Sequence, residues 1–280
     1  MIINHNGRFI DADRPIATGH DGAWLFGDTL FETMKAKDGR ILFLQQHLDR
    51  LSTSAQRLDF PLDLDSISAA LHASVQQADT PVSRIRLTVS RGPFTGLAFP
   101  SPDASHFLIE VAPYTEPGDA ERKDGIDVVI TPNRRVNPLS HLPQMKRGNY
   151  ADCLYAANFA REQGVREALF VDENDRLLEG ATSNIFLARD DRLITPALGN
   201  LVLPGIVREQ VLEIARAWGL VTEERDVQIN EIYSADELFI CNSLIDILPV
   251  ASCEGKGLNR GELWLRFLVA LNEKTETISA

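Results

Sequence analysis

The chain has 280 residues and a net charge of −12; 44% of it is hydrophobic, 24% charged and 7% aromatic. A chain near this length buries roughly 75% of its unfolded surface, so it needs neither disulfides nor a structural metal to fold, and its ordinary composition argues against disorder. The acidic balance argues against a nucleic-acid partner but leaves room for a local basic pocket that takes a small anion.

The first seven residues, Met1-Ile2-Ile3-Asn4-His5-Asn6-Gly7, carry no basic region and no apolar run of signal-peptide length. No stretch approaches the ~20 apolar residues of a membrane span. Three cysteines, Cys153, Cys241 and Cys253, form no spaced pair, so neither a disulfide framework nor a zinc site is expected and a reducing cytoplasm fits. Along the chain, residues 45–57 and 66–77 read as helices, the second with Ile67, Ala70, Leu71 and Val75 on one face. Residues 84–89 alternate with period two and 107–111 form a second apolar run, so both read as strands.

Residues 113–125 are polar and rich in breakers. They predict a linker over 114–125, between an N-terminal domain of residues 1–113 and a larger C-terminal domain of residues 126–280. Beyond it, 126–130, 168–171, 185–188, 193–195 and 238–241 read as strands. Residues 149–163 read as a helix with Tyr150, Cys153, Leu154, Ala157 and Ala160 on one face, and 205–218 as another with Val207, Val211, Ile214, Ala215 and Trp218 aligned. Strands and helices mix without a strict alternating period, which favours α+β over a doubly wound sheet.

Common chemical signatures are absent from the sequence. No glycine-rich dinucleotide fingerprint follows a strand, and Glu254-Gly255-Lys256-Gly257 lacks the spacing and hydroxyl of a phosphate loop. The six histidines, His5, His20, His47, His72, His106 and His141, contain no i, i+4 metal pair, and no Gly-x-Ser-x-Gly elbow occurs. Lysine is scarce, six against twenty-two arginines. Lys35, Lys37, Lys123, Lys256 and Lys274 are mostly expected at the surface. Lys146 differs, because Leu142-Pro143-Gln144-Met145-Lys146-Arg147-Gly148-Asn149-Tyr150 joins an extended segment to an apolar-faced helix. A lysine desolvated there has a lowered pKa and attacks carbonyls; the plainer alternative is a helix-start lysine in solvent.

Three more segments bear on that choice. In Leu178-Glu179-Gly180-Ala181-Thr182-Ser183-Asn184-Ile185-Phe186 a carboxylate follows apolar residues, where it either needs a partner or caps a turn. Leu203-Pro204-Gly205-Ile206-Val207-Arg208 opens a helix, whose free N–H groups and roughly half a positive charge suit a phosphate. Arg50, in His47-Leu48-Asp49-Arg50-Leu51, suits bidentate phosphate binding or a surface ion pair.

Taken in order, these segments resemble the class IV, fold-type IV pyridoxal-phosphate enzymes, which include branched-chain aminotransferases, D-amino-acid transaminases and aminodeoxychorismate lyases. The resemblance runs from Gly19-His20-Asp21-Gly22-Ala23-Trp24-Leu25-Phe26-Gly27-Asp28-Thr29-Leu30-Phe31-Glu32-Thr33 to Phe239-Ile240-Cys241-Asn242-Ser243-Leu244. It implies two α+β domains with pyridoxal 5′-phosphate in the cleft between them, and a homodimer. It implies that Lys146 is the Schiff-base lysine and α-proton shuttle, that Glu179 contacts the pyridine nitrogen, and that Tyr150 lies near the phenolic oxygen. Arg50 and the backbone N–H groups of Ile206 and Val207 match the phosphate site. Many relatives have threonine at the position of Val207, so a side-chain hydroxyl is missing here while the backbone donor remains. Ser243 matches a further phosphate or substrate contact.

The branch within the family is less uniform. Phe31-Glu32-Thr33 and the segment from Cys241 to Val250 resemble lyases, whereas Lys35 has a counterpart in D-amino-acid transaminases. Lys146-Arg147-Gly148-Asn149-Tyr150 departs from the His-Leu-Asn-Arg that follows the lysine in many lyases. Ser90-Arg91-Gly92-Pro93-Phe94-Thr95-Gly96-Leu97-Ala98-Phe99 has neither the second arginine of lyases nor the Arg-x-His trap of D-transaminases. The expectation is an aminotransferase, D-specific or broad, passing an amino group from an amino acid to a 2-oxo acid such as 2-oxoglutarate or pyruvate. The alternatives are aminodeoxychorismate lyase and a branched-chain L-amino-acid aminotransferase. Arg91, Lys35 and Arg147 are candidates for the substrate carboxylate, and Phe31, Thr33 and Thr182 for other substrate contacts. The joint presence of Lys146 and Glu179 argues against a binding module that has lost its chemistry, and the lack of a His/Asp ligand cluster argues against a metal hydrolase.

Overall fold

Six strands form an antiparallel sheet in the first part of the chain: β1 (Ile2–His5), β2 (Arg8–Ile10), β3 (Thr29–Lys37), β4 (Arg40–Ile41), β5 (Val82–Ser90) and β6 (His106–Pro113), in the spatial order β2-β1-β6-β5-β3-β4. The computed structural model describes residues 1–135, 144–199 and 201–277. Leu142, Pro143 and His141 therefore lie outside the described residues. The chain divides into two compact units, the first comprising Met1–Glu116 and Met145–Tyr150, the second the described residues from Pro117 onward other than those six.

In the first unit the alternation read in 84–89 becomes β5, with Ile85, Leu87 and Val89 buried on one side. They join Leu30, Met34 and Ala36 of β3 and Phe107, Ile109 and Val111 of β6. Two helices cover this face. α2 (Leu44–Arg57) contributes Leu48, Leu51 and Ala55, and α3 (Leu64–Gln76) contributes the predicted Ile67, Ala70, Leu71 and Val75. Each fully buried side chain of this kind is worth about 1.5–3 kcal/mol. α3 begins where the Asp63 carboxylate accepts the Ser66 N–H at 3.1 Å. The short α1 (Gly22–Phe26) is capped likewise by Asp21. On the opposite face of the sheet, Phe31, Thr33 and Lys35 of β3 stand beside Thr88, Arg86 and Arg84 of β5, their register partners.

The second unit holds the strands β7 (Ile126–Ile130), β8 (Glu167–Val171), β9 (Arg176–Gly180), β10 (Asn184–Arg189), β11 (Arg192–Pro196), β12 (Val221–Arg225), β13 (Val227–Gln228), β14 (Glu237–Asn242), β15 (Asp246–Cys253) and β16 (Lys256–Gly257). Nine follow the order β12-β11-β10-β14-β15-β7-β8-β9-β13, with β16 paired to β15. Its helices are α4 (Asp119–Asp124), α5 (Ala151–Glu162), α6 (Ile206–Ala217) and α7 (Leu263–Thr277). The pairs β7–β8 and β11–β12 are parallel. A tight turn cannot join parallel neighbours, and α5 and α6 lie in the two crossovers. The architecture is the expected α+β mixture.

Several local expectations change. α4 lies inside the polar stretch 114–125. The buried stripe of α5 is Cys153, Ala156 and Ala160, while Leu154 is 65% exposed, so the expected Leu154 face is wrong by roughly one helical position. On α6, Trp218 at the C-cap is 42% exposed and stacks on Phe267 of α7 at 4.9 Å. α7 was not foreseen. It buries Trp264, Phe267, Leu268 and Leu271, and the N–H groups of Leu263 and Trp264 donate to the buried Glu237 carboxylate at 2.9 and 2.6 Å.

Candidate active site

In the first unit, Lys146 is placed by backbone pairing along the start of β3. The Phe31 N–H donates to the Lys146 carbonyl at 2.8 Å, and the Gly148 N–H to the Thr29 carbonyl at 2.8 Å. The half-buried Lys146 Nζ then lies 4.6 Å from the Phe31 ring centroid and 5.9 Å from that of Tyr150, and the two rings meet edge to face at 5.4 Å. Phe31, Lys146 and Tyr150 are thus one cluster. Thr33 lies on the same face of β3, directly opposite Arg86.

Behind this face, on the core side of β3, Glu32 is 1% exposed and holds Arg50 of α2 through two bonds, Nε to Oε1 at 2.9 Å and Nη2 to Oε2 at 2.6 Å. His47 Nδ1 meets Oε2 at 2.7 Å. Burial alone would raise the Glu32 carboxyl, but the Arg50 charge and the His47 hydrogen bond overcome it and hold the pKa at about 2. Burial lowers the pKa of His47 against the pull of Glu32, so a neutral ring donates from Nδ1. This triad fixes the guanidinium of Arg50.

The two sequence candidates for a carboxylate-binding cation that are buried already have partners. Lys35 is 1% exposed and pairs with Glu116 at 2.7 Å, which corrects the surface position expected for this lysine. Arg91 is 2% exposed; it donates to Asp28 Oδ2 at 2.9 Å and to the carbonyls of Leu58 and Asp59, and is sandwiched by Phe60 and Phe99. Its fork braces a loop. Arg147 is half-buried, and Leu30 bridges to its backbone.

Arg86 was not singled out from sequence, although it stands in the alternating run that predicts β5. Its guanidinium carbon lies 3.6 Å from the Phe31 ring centroid, and Nε donates to Thr88 Oγ1 at 3.3 Å. It makes no ion pair among the described residues. Burial lowers its pKa, with the Tyr150 hydroxyl and nearby carboxylates pulling the other way. A partly desolvated guanidinium on the same aromatic ring as Lys146 is a ready carboxylate anchor.

In the second unit, Glu179 at the end of β9 is 6% exposed. Its partner is Arg135, which the sequence reading did not identify. Arg135 Nη1 donates to Glu179 Oε1, and also to the Leu201 carbonyl at 2.7 Å, with the guanidinium over Phe170. Burial works against the Arg135 charge, yet the Glu179 carboxylate raises its pKa further above an already high ordinary value. Glu179 Oε2 accepts the Leu203 N–H at 3.0 Å and Asn184 Nδ2 at 3.4 Å. A cation at this position favours an ionised carboxylate. Nothing in the sequence spacing marks a residue 44 positions upstream as the counter-ion.

α6 opens at Gly205 with no side-chain cap, so its first-turn N–H groups, those of Ile206 and Val207 included, face no capping side chain. A Cβ at Gly205 would strike Asn184 Oδ1, so this corner tolerates no side chain. Thr182 is exposed at the tip of the β9–β10 turn. Ser243 lies in the β14–β15 turn, where Asn242 Oδ1 accepts the Leu244 and Ile245 N–H groups at 2.8 and 2.9 Å.

Residues 29–253 match the family model of class IV amino-transferases. The chain is 31% identical over 266 residues to a putative branched-chain-amino-acid aminotransferase of Methanocaldococcus jannaschii, covering 94% of this chain and 91% of that protein. Its fold superposes on the branched-chain amino acid aminotransferase of Escherichia coli with a TM-score of 0.90 at 25% identity, covering 98% and 94% of the two chains. It also matches a 4-amino-4-deoxychorismate lyase structure from Pseudomonas aeruginosa, with a TM-score of 0.85 at 28% identity over 97% and 98%. The chain belongs to the class IV aminotransferase family. It is a pyridoxal-phosphate-dependent transaminase that exchanges an amino group between an amino acid and a 2-oxo acid. No helix among the described residues is long and apolar enough to cross a membrane.

Proposed function

We propose that this transaminase acts on branched-chain L-amino acids, with a 2-oxo acid as amino acceptor, and works as a homodimer in the cytoplasm. The observation that carries the substrate is the 31% identity, across nearly the whole of both chains, with the archaeal branched-chain-amino-acid aminotransferase. The D-specific reading rested on Lys35 having a counterpart in D-amino-acid transaminases, and here that side chain is engaged by Glu116.

The residues present fit the cofactor. A buried carboxylate suits a protonated pyridine nitrogen, a helix start without a side-chain cap suits a phosphate, and an amine beside aromatic rings suits an aldehyde. Glu179 would hold the proton on the ring nitrogen, with Arg135 keeping the carboxylate charged. Ile206 and Val207 N–H groups, Arg50 and Ser243 would hold the phosphate, and Tyr150 the phenolic oxygen. When bound, the cofactor supplies an electron sink for charge on the substrate α-carbon. Lys146 Nζ moves the α-proton, and the Phe31 ring limits its hydration. Arg86 binds the substrate carboxylate, with Phe31, Thr33 and Thr182 shaping the space for the side chain.

The lyase reading is kept as a second, because the lyase structure is 28% identical over 97% of this chain. One panel separates the readings. Purified protein loaded with pyridoxal phosphate is assayed with L-leucine, L-valine or D-alanine against 2-oxoglutarate, and with aminodeoxychorismate alone. The expected result is fastest turnover with L-leucine or L-valine. Preference for D-alanine, or rapid 4-aminobenzoate release without any oxo acid, overturns the branched-chain assignment.

A further inference from the structure

Glu167, at the start of β8, is 5% exposed and makes no ion pair among the described residues. Its donors are neutral groups. The Ala168 N–H reaches Oε1 at 3.1 Å; the Thr182 N–H at 3.3 Å, Thr182 Oγ1 at 2.8 Å and Ser183 Oγ at 3.0 Å all converge on Oε2. Burial raises its pKa, and these hydrogen bonds only partly oppose it. A buried carboxylate without a cation is costly compared with an apolar side chain of the same size, so stability alone is a poor reason for a glutamate here.

The three contacts to Oε2 come from one turn. The Gly180 N–H donates to the Ser183 carbonyl at 2.7 Å, and the Ala181 N–H to the Ala168 carbonyl at 2.8 Å. The Thr182 carbonyl accepts Asn242 Nδ2 at 3.1 Å. A Cβ at Gly180 would strike Ser183 Oγ and come within 3.1 Å of the Glu167 side chain, so Glu167 and the turn are packed as one piece. The two ends of the turn carry Glu179 and Asn184, which are bonded to each other. Its tip exposes Thr182.

We infer that Glu167 is a positioning residue for the site: its carboxylate sets the conformation of the 180–183 turn and fixes Thr182 toward substrate. The inference rests on the reading of Glu179 and Thr182 as site residues. The carboxylate also sets polarity. Three donors converge on Oε2, among them the Thr182 N–H, which can only donate, so the Thr182 hydroxyl also donates its proton inward and offers a ligand lone pairs alone. A substrate group meeting Thr182 must therefore be a donor, such as an ammonium.

The test uses Glu167→Gln, which keeps the shape but puts a donor where three donors converge. Hydrogen exchange of the apo-protein should rise at least about tenfold in the peptide spanning 180–184 and stay unchanged elsewhere, as expected for loss of one buried hydrogen bond. In the loaded enzyme, KM for the amino acid should rise about tenfold with kcat within about threefold and the cofactor absorbance retained. If the variant does not fold, Thr182→Val removes the same hydroxyl donor and should give the same rise in KM. Unchanged exchange in the apo variant, or an unchanged KM, overturns the inference. Wild-type protein that takes up no pyridoxal phosphate overturns the proposed function instead, and exchange in the apo-protein still decides whether Glu167 sets the turn.

Discussion

Glu32 sits on the core side of a strand, among Leu30, Met34 and Ala36, and is stable there because Arg50 and His47 reach it from α2. Removing one member of such a group leaves a buried charge without its partner, which costs on the order of 3–5 kcal/mol. Its pKa of about 2, against 4.5 for a free glutamate, means that the folded state releases this proton more readily than the unfolded one. The stabilisation is therefore fully present above about pH 4.5 and is lost as pH falls toward 2, amounting to roughly 3 kcal/mol by linkage. Denaturant titrations of wild type and Glu32→Gln should diverge as pH rises from 2 to 5 and run parallel above that. Parallel curves throughout would show that Glu32 carries no such coupling. Glu167 has the opposite sign: its raised pKa makes the ionised form the less favourable one in the fold, so its contribution to stability grows as pH falls through the folded pKa. A costly group is thus kept at the turn and a stabilising one behind the lysine.

At the scale of elements, α5 shows how a helix can be foreseen and its face misplaced. The run from Tyr150 to Ala160 has helical periodicity in two overlapping stripes, because alanine, cysteine and leucine occur on both sides. The sheet accepts the side of small residues, Cys153, Ala156 and Ala160, with Ala156 0% exposed, and leaves Leu154 outside. Leu154→Ser should then change stability by no more than about 0.5 kcal/mol, while Ala156→Leu should cost about 1–3 kcal/mol through overpacking. Reversed values from denaturant unfolding would restore the Leu154 face. β3 poses the related problem. Its period-two pattern is interrupted by Glu32 on the apolar side and by Lys35 on the other, and both are buried with partners that lie far away in sequence. At the start of α7, the N–H groups of Leu263 and Trp264 are held by Glu237 of β14, a partner 26 and 27 residues away in sequence.

For the whole molecule, the class IV assignment covers residues 29–253, which include residues of both units. The homodimer proposed with that assignment has a direct check. Light scattering after size exclusion should return twice the mass of one chain at micromolar concentration, and a fully active monomer would overturn it. The net charge of −12 does not conflict with anionic substrates, because the cations proposed for them, Arg50 and Arg86, are local and fixed.

Sequence alone determined the α+β class, two helices between the early strands, and the family, and it proposed Lys146 and Glu179 as chemical residues. Those features are local: hydrophobic period, turn chemistry and ordered short motifs all lie within a few residues. Tertiary structure decided which cations are available and which are spent. Arg91 and Lys35 looked like substrate ligands and are engaged by Asp28 and Glu116; Arg86 looked like one more polar residue of a strand and makes no ion pair among the described residues. It also supplied Arg135 as the counter-ion of Glu179 and brought Glu167 into hydrogen bonds with Thr182 and Ser183, across separations of 44 and up to 16 residues. Ion pairs and buried hydrogen bonds carry no sequence period. Their partners are selected by distance after the chain has folded, so only the packed structure can assign them.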